Sequence, residues 1–384
     1  MRVRTVPADA HNPVAFPYFA TAAKGTEGLL REELRTLNVQ PIRGDRGGVH
    51  FGGELVDAFR VCLQSRIAMR VLELRGKAAV TNSDQLYDFV SSLRLDDVLE
   101  PRLTLAVTAT VNSSFLTHSQ YVSRRVKDAI VDRQRQIQHA RSNVDATNPD
   151  VHIVVHVVKN RVSLYVDLAG EPLHRRGYRT SPVEAPLKES LAAALVQLSR
   201  WDRESPLVDP CCGSGTIALE AAMLACNIAP GLARIRFGLE RHARIDPPMQ
   251  RAFEDCRHAT RNVINRERAE LVQGSDIDID AISLAKQAAH RLNLSLQFAR
   301  KDILNLPVPA QAVTVVTNPP YGVRLDGGED LARRIGSSLR KFVGSKILVL
   351  SPDPTWLSAM GAKPQLEHTL FNGNIECRAL GWQL

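Results

Sequence analysis

Along this chain apolar residues alternate with polar ones in some stretches and recur every three to four positions in others, and the two periods divide it into strands and helices. From Tyr18, YFATAAKGTEGLLREELRTLNV reads as a short strand, a turn and a helix with Leu29, Leu30, Leu34 and Leu37 on one face. GGVHFGG is a strand bounded by glycines, and LVDAFRVCLQSRIAMRVLEL is a helix running into another strand. Five elements in so short a span predict a small α+β unit. A second unit follows, with TNSDQLYDFVSSL as a capped helix and RLTLAVTATV as an alternating strand. In its long helix, THSQYVSRRVKDAIVDRQRQIQHAR, Val122, Val126, Ala129, Ile130 and Ile137 recur at helical spacing. DVHIVVHVV and RVSLYVDLAG close the unit as strands.

The pattern then changes. Residues 171–185 are rich in turn residues and prolines, and an Ala/Leu-rich helix starts near Pro186. From there strands and helices alternate as in a doubly wound α/β domain: PLVDP, ELVQGSDID, LQFARKD, AVTVVTNPP and KILVLSPD are the strands. Cys226 to Glu270 is an arginine-rich insertion of helical character, and the Asn-Gly pair in LEHTLFNGNIECRALGW predicts a terminal hairpin. The division expected is an arm over 1–15, α+β units over 16–75 and 76–170, a linker over 171–185 and the α/β domain over 186–384.

Composition adds a partner class. The 384 residues hold 49 Lys and Arg against 41 Asp and Glu, a formal +8 that leans toward a polyanion. The excess is spread over both halves, so neither is a basic tail. Six cysteines without a C-x-x-C pair argue against zinc and against a disulfide framework, and fit a reducing compartment. No apolar run has signal-peptide or membrane-spanning length, so a soluble cytoplasmic protein is expected, with no membrane and no metal; the sequence leaves the oligomeric state open, with a monomer favoured.

Candidate chemistry sits at the strand ends of the α/β domain. LVDPCCGSGTIALEAA places Asp209 and Pro210 at a strand end, then Gly213 and Gly215, then a helix. Sheets of this type bind cofactors where such ends open. There is no G-K-[ST] and no third glycine at dinucleotide spacing, and Asp209 would repel pyrophosphate but can accept hydrogen bonds from an ammonium. Asp276 ends the next strand and can take both hydroxyls of a ribose; Asp302 follows a third and can accept from an adenine amino group. Each aspartate alone reads first as a helix N-cap; three strand-end carboxylates in order, with a glycine loop after the first, shift that reading toward a cofactor site.

The strand AVTVV ends in TNPPYG. Pro319 and Pro320 remove two backbone donors and force the chain out of the sheet with unpaired carbonyls. The Asn318 side-chain oxygen and the Pro319 carbonyl can then both accept from one NH2 group. Held so, a delocalised amine becomes more tetrahedral and directs its lone pair at an electrophilic methyl, with Tyr321 stacked on the planar substrate. Basic residues offer contacts for a nucleic acid: Arg124 and Arg125 on the long helix, and Arg175, Arg176, Tyr178, Arg179 and Lys188 around the linker. A solvated face or an ordinary linker accounts for them as well.

DPCCGSGTIALEAA, GSDID, KDIL and NPPYG together resemble the class I S-adenosylmethionine-dependent methyltransferases that act on exocyclic or amide nitrogens. LHRRGYR, APLKESLAAAL and NPPYGVRL narrow the resemblance to the THUMP-domain RNA guanine-N2 methyltransferases. The resemblance implies a Rossmann-like methyltransferase domain with a seven-stranded, mostly parallel sheet and a terminal hairpin, preceded by ferredoxin-like and THUMP α+β domains. It implies S-adenosylmethionine as cofactor, held by Asp209, Pro210, Gly213, Ser214, Gly215, Thr216, Asp276, Ile277, Asp302, Ile303 and Asn318. Asn318, Pro319, Pro320 and Tyr321 would hold the target amine. The expected reaction is methylation of guanine N2 in structured RNA, with 23S rRNA or a pre-50S particle as partner and tRNA as the alternative. A catalytically silent RNA-binding assembly factor is the alternative from another class, and the same loop serves adenine or glutamine amines. Cys211 departs from the Met commoner after "DP". The 23S enzymes are often fused to a second methyltransferase and this sequence shows one, so the exact nucleotide follows less directly than the reaction.

Overall fold

The computed structural model describes residues 6–7, 17–179, 187–320 and 328–384. Its first sheet is built from β1 (Val6–Pro7), β2 (Tyr18–Thr21), β3 (Ile42–Asp45), β4 (Gly48–Phe51), β5 (Arg70–Ala79), β6 (Leu105–Asn112), β7 (Val151–Val158) and β8 (Arg161–Asp167). The order is β3-β4-β2-β5-β8-β7-β6, with β1 against β5. Helices α1 (Glu27–Thr36), α2 (Leu55–Gln64), α3 (Ser83–Ser92) and α4 (Ser119–Gln138) connect the strands. Alternate strand residues such as Ile153, Val155 and Val157 share one core with Leu30 and Leu34 of α1 and with Val122, Val126, Ala129 and Ile130 of α4. Ile137 departs from its expected place: it lies in the last turn of α4 and is 53% exposed, beyond the reach of that core. Asn82 caps α3 by accepting from the Gln85 N–H at 2.9 Å. β5 pairs with β2 through residues 70–73 and with β8 through 72–79, so one sheet runs through both α+β units. β3 escaped the sequence pattern, being four mostly exposed residues (IRGD) that pair with β4 and lay only Ile42 against the core.

The second sheet contains β9 (Leu207–Asp209), β10 (Val272–Asp276), β11 (Gln297–Arg300), β12 (Thr314–Thr317), β13 (Lys346–Ser351), β14 (Leu366–Asn372) and β15 (Ile375–Gln383). The order β11-β10-β9-β12-β13-β15-β14 is parallel from β11 to β13, and the terminal hairpin adds β15 antiparallel to β13. Around it lie α5 (Glu189–Leu198), α6 (Thr216–Ala225), α7 (Pro247–Asn262), α8 (Ile279–Arg291), α9 (Gly328–Leu339) and α10 (Trp356–Ala359). β12 is buried along its whole length, which is why it reads TVVT rather than alternating. Val316 packs on the layer of α5, α6 and α8, and Val315 on that of α9 and α10. Among the described residues no helix is long and apolar enough to cross a membrane.

The insertion joins the two sheets. Phe237, Leu239 and Phe253 belong to the core of the first sheet, where Phe59 stacks on Phe253 at 4.3 Å and meets Phe237 edge-on at 5.6 Å. Its arginines hold protein groups: Arg244 forms a fork with Glu73 at 2.8 and 2.7 Å, Arg241 donates to the Pro149 carbonyl, and Arg257 pairs with Glu240 at 2.7 Å.

Candidate active site

Parallel pairing brings the ends of β11, β10, β9 and β12 into one row at the carboxyl edge of the second sheet. Asp302, Asp276, Asp209 and Asn318 therefore line up in that order, across three strand spacings or roughly 14 Å. The chain reverses direction of winding between β9 and β12, the switch point at which open α/β sheets bind ligands.

The loop between β9 and α6 is shaped by backbone demands. The Cys212 N–H donates to the Ser275 carbonyl at 2.9 Å, and the Gly213 N–H to Asp276 Oδ2 at 2.8 Å, so the loop is tied to the end of β10. Gly213 and Gly215 both have positive φ, at 51° and 83°. They serve different needs: a Cβ on Gly213 would meet open space, whereas on Gly215 it would strike Ala285 and the Phe298 ring at 2.9 and 3.0 Å. Gly213 thus borders the open side, and Gly215 permits close packing of α6 against α8 and β11. Ser214 and Thr216 flank Gly215, with Thr216 opening α6. Burial pushes the Cys211 and Cys212 thiols far up, so both stay protonated.

The three aspartates differ. Asp302 caps the short turn Ile303–Asn305, accepting from the Leu304 N–H at 2.9 Å. Asp276 is no helix cap; Asp278 caps α8 instead, and Asp276 accepts from Gly213 and Asp278 while its neighbour Ile277 is exposed. Asp209 is 1% exposed. Burial lifts its carboxyl to about 7, against the Thr317 hydroxyl and the Cys211 N–H that pull it down, with the Asp276 charge adding to the rise. Asp209 Oδ2, Thr317 Oγ1 and Asn318 Oδ1 are all buried without a hydrogen-bond partner among the described residues. Each such atom destabilises a folded chain by about 1–3 kcal/mol; single ones also occur at Glu220 and Arg244, whereas here three gather at the ends of two paired strands. After Asn318, Pro319 is buried and Pro320 exposed; Tyr321 lies outside the described residues.

The linker residues separate into two groups. Arg175 and Lys188 are exposed and Arg179 half-buried. Burial first, and then the charges of Lys188, Arg176, Arg175 and Arg179, lower His174 to about 4, which shows these cations share one locality. Arg176 and Tyr178 correct the expectation that they contact RNA: they are 1% and 2% exposed. The Arg176 guanidinium donates to the carbonyls of Leu173 and Arg66 and to Glu220 Oε1, and the Tyr178 hydroxyl donates to the same carboxylate at 3.2 Å. Arg179 donates to Thr216 Oγ1 at 2.8 Å and pairs with Glu189 at 3.4 Å, which connects the linker to the start of α6. Glu220 and Glu189 were missed from sequence, although a glutamate inside the apolar run IALEAAMLA is a visible signal. On α4, Arg125 pairs with Asp84 at 2.9 Å and lies over the Tyr87 ring, whereas Arg124 is exposed.

Comparison with known proteins decides the family. Residues 176–380, more than half the chain, match the RMKL-like methyltransferase domain. The chain belongs to that family. Residues 17–72 match the RlmL ferredoxin-like domain and 80–167 the THUMP domain, as the motifs implied, and the family is S-adenosylmethionine-dependent. The ribosomal RNA large subunit methyltransferase K/L of Syntrophotalea carbinolica is 36% identical over 96% of this chain and 53% of its own length. The chain spans about half the length of the K/L relatives it matches. The putative RNA methyltransferase slr0064 of Synechocystis is 33% identical, with 96% of this chain and 97% of that protein covered. Among solved structures, SMU.472, a putative methyltransferase complexed with SAH, superposes with a TM-score of 0.88 at 26% identity, covering 96% of this chain and 98% of that one.

Proposed function

We propose that this protein transfers a methyl group from S-adenosylmethionine to the exocyclic N2 of a guanine in structured RNA, with 23S rRNA as the substrate. The observation that carries the reading is the set of unpartnered buried acceptors, Asp209 Oδ2 and Asn318 Oδ1, at the switch point and directly before Pro319 and Pro320. The residues fit the cofactor: a buried carboxyl for an ammonium, open space at Gly213, the Asp276 carboxylate for a ribose, Asp302 for an adenine amino group and the exposed Ile277 beside them. Pro210, Ser214, Thr216 and Ile303 complete its surroundings.

When bound, S-adenosylmethionine supplies an electrophilic methyl group. The chain supplies position and hydrogen bonds. Asn318 Oδ1 and the Pro319 carbonyl accept from the two hydrogens of the target amine, reducing its delocalisation and aiming its lone pair. Tyr321 stacks on the base once it leaves its helix. The amine becomes acidic after attack and loses its proton then, so no strong base is needed beforehand. Of the basic groups singled out in the sequence, the exposed Arg124, Arg175 and Lys188 are those left to meet the RNA backbone, Arg179 being tied to Thr216 and Glu189. The names of the Syntrophotalea and Synechocystis relatives support an RNA substrate; guanine N2 rests on the resemblance of LHRRGYR and NPPYGVRL.

The test is transfer of isotope-labelled methyl from S-adenosylmethionine to 23S rRNA, a pre-50S particle, tRNA and DNA, followed by nucleoside digestion and mass spectrometry. N2-methylguanosine from 23S rRNA or the pre-50S particle is expected. N2-methylguanosine from tRNA alone would change the substrate, N6-methyladenosine would overturn the base, and absence of transfer by cofactor-loaded protein would overturn the enzyme.

A further inference from the structure

Thr317 ends β12 one residue before Asn318, and no motif above assigns it a role. Its side chain is 0% exposed. The hydroxyl lies beside the Asp209 carboxyl and the Cys211 thiol and draws both downward, although no hydrogen bond of ordinary geometry joins it to either. β9 and β12 are paired, with Val208 opposite Val315, so Asp209 and Thr317 approach the same edge from neighbouring strands. The groups facing Asp209 are Asp276 from β10, the protonated Cys211 and Cys212 thiols from the loop, and Thr317 and Asn318 from β12. Asp276 is the only charge among the described residues that acts on it, and that charge is negative. The folded chain therefore holds a buried carboxyl with a hydroxyl beside it and no cation, an arrangement that a cationic ligand completes.

We propose that Thr317 is a positioning residue of the cofactor site: its hydroxyl donates to Asp209 Oδ2, turning the carboxylate toward the cofactor's ammonium, so that cofactor binding releases one proton. The neutral carboxyl gives its proton to solvent, and the carboxylate left behind pairs with the ammonium, which keeps all three of its hydrogens. The lone pairs of Thr317 Oγ1 stay available to that ammonium. Ionisation without Thr317 is harder, because the carboxylate then has only the Cys211 N–H, at 3.3 Å. The inference rests on the cofactor site proposed above.

Calorimetry of S-adenosylhomocysteine binding, between pH 5.5 and 7 in two buffers of different ionisation enthalpy, separates the two. That probe keeps the ammonium, and the window lies below the usual α-amino titration near 8. Wild-type protein is expected to release close to one proton at pH 5.5, with Kd falling roughly tenfold per pH unit until it levels near 7. Asp209→Asn should bind more weakly with no proton released. Thr317→Ser should behave as wild type, whereas Thr317→Val should lose about tenfold in affinity and level at higher pH, as expected for one lost hydrogen bond to a charged group. Wild-type binding without proton release overturns the inference, as does Thr317→Val with wild-type affinity and pH profile. A Thr317→Ser protein that folds but has lost the proton release also overturns it, and decides the matter if Thr317→Val does not fold. No binding of S-adenosylhomocysteine at any pH overturns the proposed cofactor site instead.

Discussion

Two regions of this protein bury polar side chains, and they differ in whether charges of opposite sign meet there. In the seam between the sheets, Arg176 and Tyr178 share Glu220, Arg244 grips Glu73 and Arg257 grips Glu240. At the carboxyl edge of the second sheet, Asp209 Oδ2, Thr317 Oγ1 and Asn318 Oδ1 have no hydrogen-bond partner among the described residues. A buried charge closed on its own partner holds the fold together, and removing one member leaves the other stranded. A buried acceptor left open weakens the free protein and is satisfied only by something that binds. Glu220 Oε2, Arg244 Nε and both ring nitrogens of His242 in the seam are also unpartnered among the described residues, so neither burial nor a lone unpartnered atom marks a site; acceptors gathered at the switch-point edge of a sheet do.

The strongest way to break this contrast is Arg176→Ala, which strands Glu220 in the interior. We expect a loss of about 3–5 kcal/mol in chemical denaturation; a change below 1 kcal/mol would return Arg176 to the surface role its sequence context suggested. Next, Asn318→Ala should lower methyl transfer by on the order of 10²–10³-fold while S-adenosylhomocysteine binding stays within a few-fold and the melting temperature holds. Equal loss of binding and turnover would make Asn318 a cofactor ligand alone.

Asp209→Asn tests the open side from the opposite direction. An unfolded aspartate ionises near 3.9 and the folded one near 7, so the native state gives up stability as pH rises between those values. The asparagine variant escapes that loss. Without cofactor it should be the more stable protein at pH 8, by on the order of 1–3 kcal/mol, with the advantage disappearing toward pH 4. A wild type as stable as the variant at pH 8 would show that Asp209 is not desolvated. The smallest effect is expected from Arg175→Ala, which is exposed and should leave stability within about 0.5 kcal/mol. Its RNA affinity should fall with the salt slope shallower by about one; an unaltered slope would make Arg175 part of an ordinary linker.

Much of the fold was legible because its signals are local. β12 could be read as a central strand from its apolar run, and Asp209, Asp276 and Asp302 as strand ends from their chain order. Gly213 and Gly215 were visible as a pair, but only packing separates the one that faces open space from the one that fits against Ala285 and Phe298. β3 was not legible, since four residues with no apolar pattern become a strand only when β4 lies beside them. The arginine-rich insertion was legible only as helical, and its place was not: Phe237 and Phe253 carry it into the core of the first sheet.

By itself the sequence determined the order of the strands' chemistry, because each motif spans a few neighbouring residues whose backbone preferences act wherever the chain goes. Only the tertiary structure decided which charged groups face water. Arg176 is buried by a glutamate 44 residues away, Arg175 next to it is not, and Asp209 is desolvated by strands that arrive much later in the chain. Burial is set by those distant neighbours, and so is the free energy of a charge.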